Sequence, residues 1–211
     1  MQTRKIIFSF PLVSLLVIGS YFFLDARIAL AVQKAWLSNA GLALLSSEIP
    51  DLLFPMVCLI TVLSWTAYFV LARKNIINRY TGFFQLLAWT LPVTYVLKYV
   101  MKLAIGRIEA RSWLLYPHAK EFHWFHGRGM YIGFPSGHMA VFTALALAVA
   151  TLHPRFRPAC YGFLSLLALA LIATNYHFLS DVIAGTYLGY LVHSATQQKL
   201  VRPLAAAGKA W

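Results

Sequence analysis

Pro135-Ser136-Gly137-His138 is a short polar turn that stands directly before the apolar run 139–152. This order predicts a serine, a glycine and a histidine at the N-terminal end of a membrane helix. Helix N-termini present unpaired N–H groups and the positive end of the helix dipole, so they suit a phosphate or another anion. A phosphate site at this turn would also require cations and a second histidine from other parts of the sequence.

The composition indicates an integral membrane protein. The chain has 211 residues, 60% of them hydrophobic, and its mean hydropathy of +0.68 is too high for an ordinary soluble fold. Its net charge of +12 comes from basic residues spread between the apolar runs, without a basic stripe interleaved with stacking aromatics. We expect one membrane-embedded domain over 1–211, with membrane lipids as partners and no nucleic acid.

Apolar runs that approach the roughly 20 residues of a bilayer span predict an all-α polytopic protein with six transmembrane helices. The predicted spans are 6–24, 52–72, 81–101, 138–152, 159–177 and 181–196. The segment 26–50 is mixed in polarity, and the four-residue steps Ile28, Val32 and Trp36 favour an amphipathic helix at the membrane interface. A helix packed on the protein surface is the alternative for that segment.

Clusters of basic residues predict the orientation of these spans. Four clusters without any Asp or Glu fall on one side of the six-span arrangement: Arg4 and Lys5, then Arg73, Lys74 and Arg79, then Arg155 and Arg157, then Lys199, Arg202 and Lys209. The positive-inside rule places that side and both termini in the cytoplasm. The turn 135–138 and the polar loop 102–134 fall on the opposite side, so we expect an extracytoplasmic site.

His177 and Asp181 form a second candidate pair, near the end of the fifth predicted span. Residues four apart share one face of a helical turn. A carboxylate that accepts a hydrogen bond from one imidazole nitrogen leaves the other nitrogen as a directed base or nucleophile. A helix cap beside an interfacial histidine would give the same spacing, so the pair alone leaves both interpretations open.

The loop 102–134 brings cations to the same predicted face. Lys102, Arg107 and Arg111 would neutralise a phosphate there, while two histidines would divide the nucleophile and acid roles. The loop also contains three loosely spaced histidines, His118, His123 and His126. They lack a persuasive zinc signature and a supporting carboxylate pattern. We therefore expect neither a metal nor a cofactor.

These motifs resemble those of the type 2 phosphatidic acid phosphatase family, whose integral-membrane members remove phosphate from lipid phosphates and pyrophosphates. The family signature consists of K-x6-R-P, P-S-G-H and S-R-x5-H-x3-D. The second motif is intact at 135–138, the third is half present as His177-x3-Asp181, and the first is recognisable as Lys102-x3-Gly106-Arg107. The resemblance extends over 97–188, and the order and spacing of the motifs make it specific.

Two arginines of the family signature are missing from this chain. Glu109-Ala110 stands where the first motif has Arg-Pro, and Leu171 stands where the third motif has its arginine. We expect Arg107 or Arg111 to supply the first charge. Either Arg111 or Arg128 would compensate for the second charge from the loop, or the site would be weakened or retuned.

The resemblance implies a metal-independent lipid phosphatase that works through a phosphohistidine. In this scheme His177 attacks the phosphorus, Asp181 orients His177, and His138 protonates the leaving group and then activates water. The phosphoryl oxygens would be bound by Lys102, Arg107, Arg111, Ser136 and Gly137.

The implied substrate is an amphiphile such as an isoprenyl pyrophosphate, phosphatidylglycerol phosphate, phosphatidic acid or a lipid A phosphate, hydrolysed at a bacterial cytoplasmic (inner) membrane. Two other functions stay open. One is a phosphotransferase that passes phosphate to a second lipid, and the other is a non-catalytic lipid-phosphate binding or transport protein on the same scaffold. The retained histidines and Asp181 favour an enzyme, because a binding site does not need a nucleophile and its orienting carboxylate.

Overall fold

The computed structural model describes residues 2–37, 53–76 and 78–206, and their side chains at 8–35, 53–76 and 78–200. The protein is all-helical, with 79% helix and no strand in the described ranges, so the predicted all-α class is confirmed. The helices are α1 Gln2–Phe23, α2 Asp25–Leu37, α3 Leu53–Arg73, α4 Arg79–Ile105, α5 Ala110–Leu115, α6 Gly137–Leu152, α7 Arg157–Ala173 and α8 Leu179–Ala206. A 3-10 turn, Pro154–Phe156, joins α6 to α7.

Each predicted span coincides with a helix, in chain order α1, α3, α4, α6, α7 and α8. Two segments, α3 and Pro154–Ala173, are long and apolar enough to cross a membrane. The bent pair of α1 and α2, with an angle of 54° between them, would form a third span, while α6 is apolar but shorter. A crossing by all six helices stays a prediction, as does their orientation.

The described part of the mixed segment 26–50 belongs to α2, while residues 38–50 lie outside the described ranges. Ala29 of α2 is buried against Ala110 of α5 and Phe178, just before α8. Its backbone carbonyl also accepts a hydrogen bond of 3.2 Å from the side chain of Asn175. α2 therefore packs against the end of the bundle where α8 begins, and its placement at a membrane interface stays a prediction.

The close contact between α6 and α8 depends on two glycines of α8. A Cβ atom on Gly185 would lie 2.3 Å from the carbonyl oxygen of Ser136, and one on Gly189 would lie 2.3 Å from that of Ala140. Small residues at this spacing let two helix backbones approach closely. The backbone N–H of Ser136 also donates to the carbonyl of Asp181 at 3.0 Å. The turn 135–138 is thereby held against the first turns of α8.

α7 ends earlier than the sequence predicts. The predicted fifth span reached residue 177, whereas α7 ends at Ala173 because Asn175 adopts a left-handed conformation with φ of 51°. The N–H groups of Asn175 and Tyr176 then satisfy the carbonyls of Ile172 and Leu171, both at 2.9 Å. The residues that follow form a turn, and His177 lies in that turn rather than in a helix.

The two ends of the bundle differ in their charges. The rings of Tyr80 and His153 are 6.4 Å apart, so the α3–α4 and α6–α7 connections, with their basic clusters, lie at one end. At the other end, Arg107 is hydrogen-bonded to Asp25 and Ser180. This separation of the basic clusters from the turn 135–138 agrees with the alternation of six spans.

We predict that Gly185→Ala destabilises the protein by roughly 1–3 kcal/mol, because the added methyl group meets the rigid backbone of Ser136. The matched control is Gly162→Ala in α7, where a Cβ atom would meet nothing within 4 Å. Thermal unfolding in detergent, followed by tryptophan fluorescence, measures both variants. Equal melting temperatures for the two would contradict the close approach of α6 and α8.

Candidate active site

A pocket of about 310 Å³ lies at the end of the bundle where α6 and α8 begin. Its chemically active lining consists of Lys98, Lys102, Glu109, His138 and His177. Much of the remaining wall is apolar and aromatic, and α3 and α4 contribute to it through Leu53, Phe54, Tyr95 and Tyr99. The structure thus brings the turn 135–138, the end of α4 and the turn before α8 to one cavity.

The two predicted histidines contact the same aromatic ring. The ring of Tyr176 lies 5.6 Å from that of His138 and 5.1 Å from that of His177, edge to face in both cases. The Nε2 atom of His138 and the Nδ1 atom of His177 are buried and have no hydrogen-bond partner among the described residues. Buried polar atoms are normally satisfied. Nε2 of His138 is therefore available to a ligand or to water, whereas Nδ1 of His177 faces the carboxylate of Asp181.

Asp181 uses its two carboxylate oxygens differently. Oδ2 accepts a hydrogen bond of 3.0 Å from the N–H of Phe178, which caps the beginning of α8. The same oxygen lies 3.7 Å from Nδ1 of His177, which is too long for a hydrogen bond. The two groups form an ion pair only when the imidazole is protonated. The helix cap and the histidine–carboxylate approach, which the sequence left as alternatives, therefore occur together.

Arg107 contacts two carboxylates and does not line the pocket. Its Nη1 donates to Asp181 Oδ1 and to Ser180 Oγ, both at 2.6 Å, and its Nη2 donates to Asp25 Oδ2 at 2.7 Å. Burial alone would lower the pKa of Arg107, but the carboxylates of Asp181 and Asp25 raise it above its ordinary value. These contacts suit the positioning of Asp181, and the binding of phosphate by Arg107 stays a prediction.

Backbone hydrogen bonds order the segment 106–134, which connects α4 to α6 and contains α5. Gly106 ends α4 in a left-handed conformation with φ of 55°, and its carbonyl accepts from the N–H of His123 at 2.7 Å. The carbonyl of Arg107 accepts from the N–H of Gly133 at 2.8 Å.

In the described chain, no group of three His, Cys, Asp or Glu side chains could hold a metal ion.

The other predicted phosphate ligands occupy different positions around the pocket. Lys102 lines it and donates to the carbonyl of Ile132. Gly137 also lines it, as the first residue of α6. Ser136 is fully buried, and its hydroxyl oxygen caps α6 by accepting from the N–H of Met139 at 3.4 Å. The serine therefore helps to form the helix N-terminus beside the pocket.

Neither arginine that we expected to compensate for Leu171 lines the pocket. Arg111 donates to the carbonyl of Thr174 at 3.1 Å, and its guanidinium lies 5.3 Å from the centroid of the Tyr176 ring. Arg128 is exposed on the connecting segment. Leu171 itself is buried in a cluster with Met139, so α7 sends no cation into the pocket.

Four residues of the site were missed by the sequence analysis. Asp25 and Ser180 complete the contacts of Arg107, and Lys98 and Glu109 line the pocket. The four-residue spacing of Lys98 and Lys102 was a usable signal, because such residues share a helix face. Burial raises the pKa of Glu109, although Lys102 and Arg111 oppose the shift.

A family comparison agrees with this geometry. The model of the PAP2 superfamily matches residues 83–202, which is more than half of the 211 residues. This chain belongs to the PAP2 superfamily. The matched range contains both histidines and Asp181, whereas Asp25 precedes it. No curated protein and no solved structure matches the chain. Members of the superfamily are phosphatases, which supports a phosphoric ester hydrolase in general terms.

We predict that Arg107→Met destabilises the protein by roughly 3–5 kcal/mol, because it leaves two buried carboxylates without their cation. The control is Arg128→Met, an exposed substitution on the same connecting segment, which should change the stability by less than about 0.5 kcal/mol. Thermal unfolding in detergent measures both. A wild-type melting temperature for Arg107→Met would show that the ion pairs do not support the fold. If that variant does not fold, Arg107→Lys tests the same contacts with the charge retained.

Proposed function

We propose that this PAP2 superfamily member is a metal-independent membrane phosphatase that hydrolyses a phosphomonoester or pyrophosphate of a lipid through a phosphohistidine. One observation carries the proposal. His138 and His177 open into the same pocket as Lys102, at the N-terminus of α6. A nucleophile, an acid and an anion-binding helix end within one cavity are the parts that phosphoryl transfer requires.

In the first step, a ring nitrogen of His177 attacks the phosphorus. A nitrogen–phosphorus bond forms, the bond to the leaving oxygen breaks, and His138 gives that oxygen a proton. Burial lowers the pKa of His177, although Asp181 opposes the shift. The neutral imidazole that attack requires is therefore favoured in the turn between α7 and α8.

In the second step, His138 takes a proton from water, and the resulting hydroxide attacks the phosphorus. Inorganic phosphate leaves and His177 regains its lone pair. Lys102 and the N–H groups at the start of α6 stabilise the charge on the phosphoryl oxygens in both steps. Asp181, held by Arg107, favours the positive charge that His177 carries in the phosphoenzyme.

The apolar wall of the pocket supports a lipid substrate. Phe54 and Tyr99 line it and are 56% and 59% exposed, so the cavity adjoins an outer surface of aromatic side chains. A phosphate can enter the polar part while its hydrocarbon chain stays on this surface. The basic clusters at the opposite end of the bundle support six spans, cytoplasmic termini and an extracytoplasmic site in a bacterial inner membrane.

The deciding experiment measures phosphate release by the purified protein from a panel of lipid phosphates in detergent. We predict that His177→Ala abolishes release and phosphoenzyme formation, while His138→Ala slows release by roughly 10²–10⁴-fold. His153→Ala, at the other end of the bundle, is the control and should be as active as wild type. Full activity of His177→Ala would remove this residue from the nucleophile role. Phosphate found on an added lipid alcohol instead of in solution would indicate the transferase.

Chelation tests the metal-independent part of the proposal. The cations assigned to the site are side chains, so treatment with EDTA should leave the rate of phosphate release unchanged. The same assay after dialysis and addition of Mg²⁺, Mn²⁺ or Zn²⁺ measures this. A rate that disappears with EDTA and returns only with a divalent ion would contradict the mechanism.

A further inference from the structure

We propose that Lys98 is a second phosphate-binding cation of this pocket and replaces the charge of the missing family arginines. The inference rests on the proposed phosphatase function and adds to it a residue outside the three sequence motifs. Its basis is the position of one ammonium group in the pocket and the charges that surround it.

Lys98 and Lys102 project from the same face of α4, since they are four residues apart, and both line the pocket. Lys98 is only 8% exposed. Its Nζ lies 4.1 Å from the centroid of the Tyr95 ring and 3.0 Å from the position that a Cβ atom on Gly137 would take. The ammonium group therefore lies beside the first residue of α6, next to His138.

The surroundings of Lys98 are positively charged. Lys102 lies one turn further along α4, and the N-terminus of α6 carries the positive end of its helix dipole. Over the described parts of the chain, the structure gives Lys98 no ion pair and no hydrogen bond. The contact of its Nζ with the Tyr95 ring leaves the ammonium group without an anion, although most of the side chain is buried. A phosphate dianion between the two lysines and the helix end would satisfy all of these groups at once.

The sequence departures explain why the pocket needs this second cation. Leu171 stands at the position of the third-motif arginine and is buried in the core between α6, α7 and α8. α7 therefore supplies no charge in place of that arginine. Glu109 places a carboxylate in the pocket where the first motif has its other arginine, and this carboxylate offsets part of the charge of Lys102. Lys98 restores a net positive charge at the position of the phosphate.

Gly137 is linked to Lys98 by direct contact. A Cβ atom there would lie 2.9 Å from Cδ of Lys98, so the lysine side chain occupies the space that a side chain at position 137 would need. Gly137→Ala should therefore displace the ammonium group without removing its charge. Because Gly137 is also assigned to the phosphoryl oxygens, this substitution supports the position of Lys98 only together with replacement of the lysine.

The test compares Lys98→Met, Lys98→Arg and Gly137→Ala with wild type, using the lipid phosphate that wild type hydrolyses fastest and orthovanadate as a phosphate mimic. Lys98→Met should raise the KM and the inhibition constant of orthovanadate by at least about tenfold, the effect of losing one charge-assisted hydrogen bond. Gly137→Ala should also raise both constants, while the constants of Lys98→Arg should stay nearer to those of wild type. Lys199→Met, an exposed lysine of α8, is the control and should leave both constants unchanged.

The two proposals fail in different ways. A wild-type protein that releases phosphate, with unchanged constants in Lys98→Met, would overturn the role of Lys98 and leave the phosphatase standing. A wild-type protein that releases no phosphate from any lipid would overturn the phosphatase. In that case, the rise in melting temperature on adding orthovanadate decides the anion site. If the rise in melting temperature is lost in Lys98→Met, the role of Lys98 is supported. If the rise persists in that variant, the role is overturned.

Discussion

The ion pairs of one buried arginine join the residues after α4 and the first turn of α8, which both border the site, to the beginning of α2. Arg107 lies just after α4 and joins Asp25 at the beginning of α2 to Asp181 in the first turn of α8. Ser180 strengthens the junction, because its N–H and its hydroxyl both donate to Asp25. Buried charges are tolerated only with partners that replace their hydration. The positions of these three segments are therefore coupled, and His177 is placed through its approach to Asp181.

Arginine and lysine have different partners in this structure: the arginine contacts carboxylates, and the lysines face the cavity. A guanidinium has a rigid planar array of donors and can bridge two carboxylates, whereas an ammonium group is a compact charge on a flexible chain. Arg107 uses both terminal nitrogens on the protein itself. The cations that face the cavity are Lys98 and Lys102, so the pocket relies on lysines where the family signature relies partly on arginines.

Local signals made much of the site predictable. The turn 135–138 before an apolar run led to the N-terminus of α6, and the His177–Asp181 spacing led to the second half of the pocket. The apolar runs located the six main helices. Each of these inferences used residues that are close in the sequence and periodicities that hold regardless of the tertiary contacts.

The missed features depend on contacts between distant residues. Asp25 and Arg107 are separated by 82 residues, and no periodicity relates them. Lys98 was missed although its four-residue spacing from Lys102 was a usable signal, because the sequence does not show which neighbours a lysine at the end of an apolar span meets. Arg107 was assigned to phosphate because an arginine near a motif suits a phosphate or a carboxylate equally well. Only the fold distinguishes these partners.

A crystal structure of the protein with bound orthovanadate would test the central claim most directly, namely that Arg107 serves the protein while the lysines serve the phosphate. The account predicts vanadium bonded to a ring nitrogen of His177, with vanadate oxygens at Lys98, Lys102 and the N–H groups of α6. Arg107 would keep its ion pairs with Asp25 and Asp181. Vanadate held by Arg107 with those carboxylates released, or vanadate bound away from His177, would contradict it.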